Sequence, residues 1–139
     1  MLNIIEIDAT DASVVRALYD SCGYRGTVSR TDRVIGATMG QALVGAVRLC
    51  AEEDVIVLRG MQVLPDYQRQ GVGSQLLQAC VRHLDAGDSY CLPYAHLAAF
   101  YGRAGFMVVQ QSDLPAFLQR RLDAYTASGL YILGMGRGR

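Results

Sequence analysis

The chain has 139 residues and a mass of 15.1 kDa, the size of one ordinary domain. Hydrophobic residues make up 51% and charged residues 19%, which supplies a sizeable core and excludes a disordered chain. Thirteen Lys and Arg balance thirteen Asp and Glu, so neither nucleic acid nor an anionic membrane surface is expected as a partner held by bulk charge.

The one charge bias is a basic end at Arg137 and Arg139. Met1 to Asp8 lacks the basic start of a secretory signal and carries Glu6 and Asp8 in its apolar stretch. Uncharged runs such as 34–47 are too short, and too broken by glycine, to cross a bilayer as helices. Cys22, Cys50, Cys80 and Cys91 lie far apart with no CxxC pair, and His83 and His96 are the only histidines. Metal-ligand spacing is absent, so no metal is expected and the cysteines read as reduced thiols of a cytoplasmic protein.

In chain order, LNIIEID alternates as a half-buried first strand. Thr10 or Asp11 is positioned to cap a helix with Val14, Val15, Leu18, Tyr19 and Cys22 on one face, stopped at Gly23. Residues 24–32 are polar and irregular. Strands over 33–39 and 42–50 join through a tight hairpin at Gly40-Gln41. Glu52, Glu53 and Asp54 form a polar turn before a strand over 55–64, apolar enough to be covered on both faces and bulged at Gly60. A helix over 71–85 buries Val72, Leu76, Leu77, Cys80 and Leu84. A short strand over 90–93, a helix over 97–103 and a strand over 106–110 follow. Ser112 and Asp113 start another helix, with Pro115 in its first turn, Leu114, Leu118, Leu122 and Tyr125 on one side, and Gly129 at its end. A final strand over 130–135 ends the pattern. The class is mixed α/β in a single domain over 1–139, with a largely antiparallel sheet.

The most informative stretch is VLPDYQRQGVGSQLL, from Val63 to Leu77. A buried strand ends at proline, and glycine twice punctuates the start of a good helix. The first amides of a helix have no internal partner, and the macrodipole adds positive potential there. Gly71 and Gly73 remove side chains that would keep a phosphate off the backbone. The amides of Arg69, Gln70, Gly71, Val72, Gly73 and Ser74 therefore make an anion site, with Arg69 adding charge. Neither a dinucleotide fingerprint nor a Walker loop fits, because Leu76 replaces the third glycine and Ser-Gln follows Gly73.

Gln68-Arg69-Gln70-Gly71-Val72-Gly73, preceded by Val63-Leu64-Pro65, matches Q/R-x-x-G-x-G/A after V-x-P. This resembles the coenzyme A motif of the GNAT superfamily of acyl-CoA-dependent N-acyltransferases. Tyr101-Gly102-Arg103-Ala104-Gly105-Phe106 is similar to that family's Y-x-x-x-G-F segment, and the likeness covers nearly the whole chain. The resemblance implies a GNAT-like sheet whose central strands splay to form an acyl-CoA cleft. Pantetheine would meet the amides of Met61, Gln62 and Val63, with Cys91 and Leu92 on the opposite wall and Pro93 interrupting the pairing. The pyrophosphate would lie on the amides of 69–74. Acetyl-CoA is the implied co-substrate, and a small-molecule or protein amine the acceptor.

The resemblance also places Tyr101 as the general acid that protonates the leaving thiolate, with an amide of the splayed strand, Val63, facing the oxyanion. A phenol of ordinary pKa, about 10, would set the high-pH limb of the rate profile. The general base is missing: the family's strand glutamate has no counterpart over 55–64. Glu52, Glu53 and Asp54 read as a solvated turn, and His96 as a candidate base or substrate ligand whose commoner use is structural. An ordered water is the default base. Tyr94 stands where the family commonly has asparagine. Arg59, charged inside an apolar strand, either faces an acidic substrate group or pairs with a nearby acid; the pair is favoured. Tyr24, Tyr90 and Tyr94 line the acceptor site or belong to core and rim. The alternative to an enzyme is a non-catalytic acyl-CoA sensor. The state is monomer or homodimer, with the last strand as a possible dimer edge.

Overall fold

The computed structural model describes residues 1–138; Arg139, half of the expected basic end, lies outside the described residues. The strands are β1 (Leu2–Ile7), β2 (Arg33–Met39), β3 (Ala42–Glu52), β4 (Val55–Val63), β5 (Ser89–Cys91), β6 (Met107–Val108) and β7 (Met135–Arg137). The helices are α1 (Ala12–Ser21), α2 (Val72–Leu84), α3 (Ala98–Gly102) and α4 (Ala116–Ala127). One sheet runs in the order β1-β2-β3-β4-β5-β7-β6, antiparallel throughout except for the parallel pair β4·β5. The expected mixed, largely antiparallel sheet with flanking helices is what the chain forms.

Alternation along the strands sorts the core onto two faces. Val34, Ala46 and Val57 turn toward α1 and α4, and Ile35, Val47 and Leu58 turn toward α2. The α2 stripe of Val72, Leu76, Leu77, Cys80 and Leu84 is buried as its spacing predicts. On α1 the stripe is narrower: Val15, Leu18 and Tyr19 are buried, but Val14 is exposed. Asp11 stands at the N-cap of α1 as expected but makes no side-chain cap bond; Asp8 accepts from the amide of Thr10 at 3.0 Å and caps the 3-10 turn over Ala9–Asp11 that precedes α1.

The C-terminal strands are shorter than expected for one shared reason. β5 ends at Cys91, so β7 finds its ladder only opposite Ser89–Cys91 and begins at Met135. The segment before it, taken as strand over 130–135, leans on the chain after β5 instead. Leu133 N donates to Pro93 O and Ala95 N to Tyr131 O, both at 3.0 Å, with one isolated bridge between Tyr94 and Ile132. β7 thus lies inside the sheet, and β6, with Met107 and Val108 exposed, forms the edge that the sequence assigned to the last strand.

Two features of β3 and β4 shape the site. Arg48 pairs with Arg59 but Ala46 with Gln62, so Gly60 and Met61 together stand opposite Val47 as a bulge. Gly60 has φ +68°, and a Cβ there would fall 2.5 Å from Tyr19 Oη and 3.0 Å from Arg48 Nε, so both backbone and space require glycine. Tyr19 Oη donates to Gly60 O at 2.8 Å and locks the bulge.

The second feature is Arg48, fully buried on β3. Its guanidinium donates to Asp32 Oδ2 at 3.0 Å, Tyr24 Oη at 2.9 Å and Thr27 O, and lies near the rings of Tyr19 and Tyr24. Arg16 donates to the carbonyls of Tyr24 and Gly26 from the other side. Two arginines therefore order residues 24–32, which form no strand or helix of their own. Removing one partner of a buried pair strands the other charge, at a cost of roughly 3–5 kcal/mol. Asp32→Ala is expected to lose stability on that scale in urea unfolding, whereas Asp20→Ala, at an exposed ion pair, is expected to lose less than about 1 kcal/mol.

Candidate active site

The parallel pairing of β4 with β5 covers only Ile56–Leu58 against Ser89–Cys91. Beyond it the strands separate, since Pro93 offers no N–H and the bulge at Gly60 turns β4 away. The gap opens into two clefts that share Met61, Gln62, Leu97 and Tyr101.

One cleft runs from that junction past Val63 and Tyr67 to the glycine turn, with Arg69, Gly71, Val72, Gly73 and Ser74 in its wall. Arg69 and Gly71 both have left-handed backbone, φ +64° and +84°. The turn is braced by side chains: Gln68 Nε2 donates to Val63 O and Gln70 Nε2 to Asp66 O, both at 3.0 Å. The first bond of the α2 ladder runs from Gln75 N to Gly71 O at 3.0 Å, so the amides of Val72, Gly73 and Ser74 precede it. A Cβ at Gly71 would meet nothing within 4 Å, which leaves the approach to those amides open. The turn fits a bound phosphate.

On β4, Leu64 N donates to Val44 O at 2.9 Å. Alternation then turns the backbone of Gln62 toward β3 and that of Val63 into the gap. Of the three expected strand amides, Val63 is presented to the cleft, Met61 stands in the bulge and lines both clefts, and Gln62 lines both but turns its amide toward β3.

The other cleft, about 240 Å³, lies on the far side of Tyr101. Cys91, Leu92 and Pro93 form one wall, as expected for the strand opposite β4. Tyr24 and Tyr94 also line it, but Tyr90 packs under α4 with Val57 and Leu118. His96 is exposed, stacked on the Tyr94 ring at 5.9 Å, and takes no part in the wall. Glu52 is no solvated turn residue. It is half-buried at the end of β3, held by Arg121 through two bonds of 2.6 and 3.2 Å and by Arg59 at 3.6 Å. The pair favoured for Arg59 is present; Arg121, which the sequence reading did not single out, completes it. Tyr125, Leu130 and Ile132 close the wall. Arg121 and Tyr125 share a face of α4, so a helical-wheel signal existed, but nothing local pointed that face at β4.

Tyr101 is 6% exposed, packs edge-on against Phe100 at 5.0 Å, and makes no side-chain hydrogen bond among the described residues. Burial pushes its phenol well above its ordinary value, with Cys91 and Cys80 adding to the effect. Cys80 is pushed up to about 12 by the same burial, and Cys91 is raised as well. The junction of the clefts disfavours negative charge on sulfur and on phenol alike.

The family model described as an acetyltransferase (GNAT) domain matches residues 30–108, more than half of the chain. The chain belongs to the GNAT acetyltransferase family. Solved structures share its fold at low identity. The ribosomal-protein-S18-alanine N-acetyltransferase of Escherichia coli is 19% identical at a TM-score of 0.70, covering 99% of this chain and 94% of that one. Rv2747 of Mycobacterium tuberculosis, solved with CoA and NLQ, is 16% identical at 0.72 over 99% of both chains. The PaiA N-acetyltransferase of Thermoplasma acidophilum, solved with coenzyme A, is 13% identical at 0.68 over 100% and 99%. A search of curated protein sequences gives no match. Among the described residues, no helix of this GNAT protein is long and apolar enough to cross a membrane.

Proposed function

We propose that this GNAT protein is an N-acetyltransferase that moves an acetyl group from acetyl-CoA to an amine within a ternary complex. The observation that carries the reading is the meeting of the two clefts at Tyr101, one ending on a helix N-terminus and the other lined by apolar and tyrosyl side chains with Arg59 and Arg121. The CoA complexes of Rv2747 and PaiA support the choice of donor. Residues 1–139 are read as one catalytic unit.

Bound acetyl-CoA supplies the acyl thioester. The amides of Val72, Gly73 and Ser74, with Arg69 beside them, hold its pyrophosphate. The N–H of Val63 donates to the carbonyl oxygen as negative charge gathers there. The acceptor nitrogen forms the new C–N bond while the C–S bond breaks. Tyr101 gives its phenolic proton to the departing sulfur. Among the described residues no Asp, Glu or His lines either cleft, so the amine proton passes to water. The position of Tyr101 at the junction weighs against the alternative of a non-catalytic acyl-CoA sensor.

Incubation with acetyl-CoA and a panel of amines is expected to release free CoA at a steady rate and to yield an acetylated amine by mass spectrometry. Tight acetyl-CoA binding with no turnover across the panel would overturn catalysis in favour of the sensor.

A further inference from the structure

We infer that the acceptor cleft takes a small amine that also carries a carboxylate, an aminocarboxylate held by Arg59 and Arg121. The inference rests on the acetyl-transfer reading for which cleft receives the acceptor, and it names the class of that acceptor.

The charge count leads to it. Arg59 and Arg121 are the charged side chains in the wall of the 240 Å³ cleft, whose other members are apolar, tyrosyl or neutral polar. One carboxylate, Glu52, serves both. Arg121 takes both of its oxygens at 2.6 and 3.2 Å, while Arg59 stands 3.6 Å away, beyond hydrogen-bond distance. Two positive charges against one negative leave the cleft with an excess of one. Glu53 and Asp54 do not cancel it, because they lie exposed in the turn beyond Glu52 and line no part of the cleft.

Arg59 lines the cleft and makes no side-chain hydrogen bond among the described residues, which leaves its guanidinium donors free for a second carboxylate. Leu92, Leu130 and Ile132 flank the arginines with apolar surface in the same cleft. Placement agrees with charge. Arg59 is two residues before Met61 on β4, roughly 6–7 Å along the strand from the junction at Tyr101. An acceptor with its amine at the junction would direct a carboxylate a few bonds away toward Arg59. A polyamine or aminoglycoside would instead place further positive charge against two arginines.

The test is calorimetry on the protein, both alone and saturated with CoA, which cannot transfer an acetyl group. The standard L-amino acids are titrated beside their carboxamides and spermidine. At least one free amino acid is expected to bind about tenfold or more tightly than its own carboxamide, with spermidine weaker than both. Arg59→Gln is expected to remove that difference, and added salt to shrink it. Equal binding of acid and amide, preference for spermidine, no binding by any compound, or an undiminished preference in folded Arg59→Gln would each overturn the inference. The wild-type comparison decides the matter if the variant does not fold. Acetylation of a neutral amine or of spermidine with no acid preference would leave acetyl transfer standing and remove only the aminocarboxylate. A strong acid preference without turnover would do the reverse.

Discussion

Tyr101→Phe is expected to lower kcat by ~100- to 10,000-fold while acetyl-CoA affinity stays within a few-fold. The substitution deletes one oxygen and keeps the ring, so the edge-on contact with Phe100 and the burial under α2 persist. Its hydroxyl has no hydrogen-bond partner among the described residues, so the fold loses little when it goes. An effect confined to kcat marks a group that acts as the bond breaks, not one that holds the ground state. Near-normal kcat with a good acceptor would remove the general-acid role and assign sulfur protonation to water.

The pH profile sharpens the same prediction and corrects the sequence-based one. An ordinary phenol would lose its proton near pH 10 and take the rate down with it. Burial raises the Tyr101 phenol, so the protonated, donating form persists above that pH. The rate is therefore expected to rise as the amine deprotonates and to show no tyrosine limb up to about pH 10. A raised phenol remains a competent donor here because its recipient meets the same surroundings. Burial raises the neighbouring thiols of Cys91 and Cys80 in the same direction.

The parts legible in the sequence were those governed by local rules. Strands β1 to β4, α2, the hairpin and the bulge at Gly60 follow from alternation, helical spacing and glycine. The glycine turn before α2 was legible for the same reason: left-handed backbone at Gly71 and free amides at a helix start are properties of a few consecutive residues. The C-terminal strands were misjudged because apolar runs such as 130–135 do not say which neighbour they pair with. Pro93 and the early end of β5 decided that.

The acceptor cleft was less legible because its wall comes from distant segments: Tyr24 before β2, Arg59 on β4, Tyr94 after β5, Arg121 and Tyr125 on α4. Glu52 illustrates the difficulty. Its sequence neighbours Glu53 and Asp54 mark a solvated turn, and only the arrival of α4 turns it into a half-buried bridge between two arginines. Arg48 was passed over for the opposite reason. It sits in a strand that reads as core, and its partners lie 16 to 24 residues upstream in a loop with no regular structure.

Gly71→Asp is expected to weaken acetyl-CoA binding by about 100-fold or more, where Gly71→Asn weakens it less than about tenfold. The two variants are nearly isosteric, so they share every effect of backbone and bulk. Both must adopt φ +84°, a left-handed geometry that Asn and Asp tolerate better than other L residues. Both have room, since a Cβ at position 71 meets nothing within 4 Å. They differ in one negative charge at the N-terminus of α2. That charge favours the free protein by about 0.3–1 kcal/mol through the helix dipole, so Gly71→Asp should unfold no more easily than Gly71→Asn. The same charge repels a pyrophosphate from the amides of Val72, Gly73 and Ser74 that would grip it. Each charge-assisted hydrogen bond lost costs about 1.5–3 kcal/mol, and two of them amount to at least the hundredfold expected at about 1.4 kcal/mol per tenfold. Stability and affinity thus move in opposite directions, which general damage to the turn cannot produce. Calorimetry with acetyl-CoA and urea unfolding on both variants read the two quantities separately, and equal affinity in the pair would move the pyrophosphate away from the start of α2.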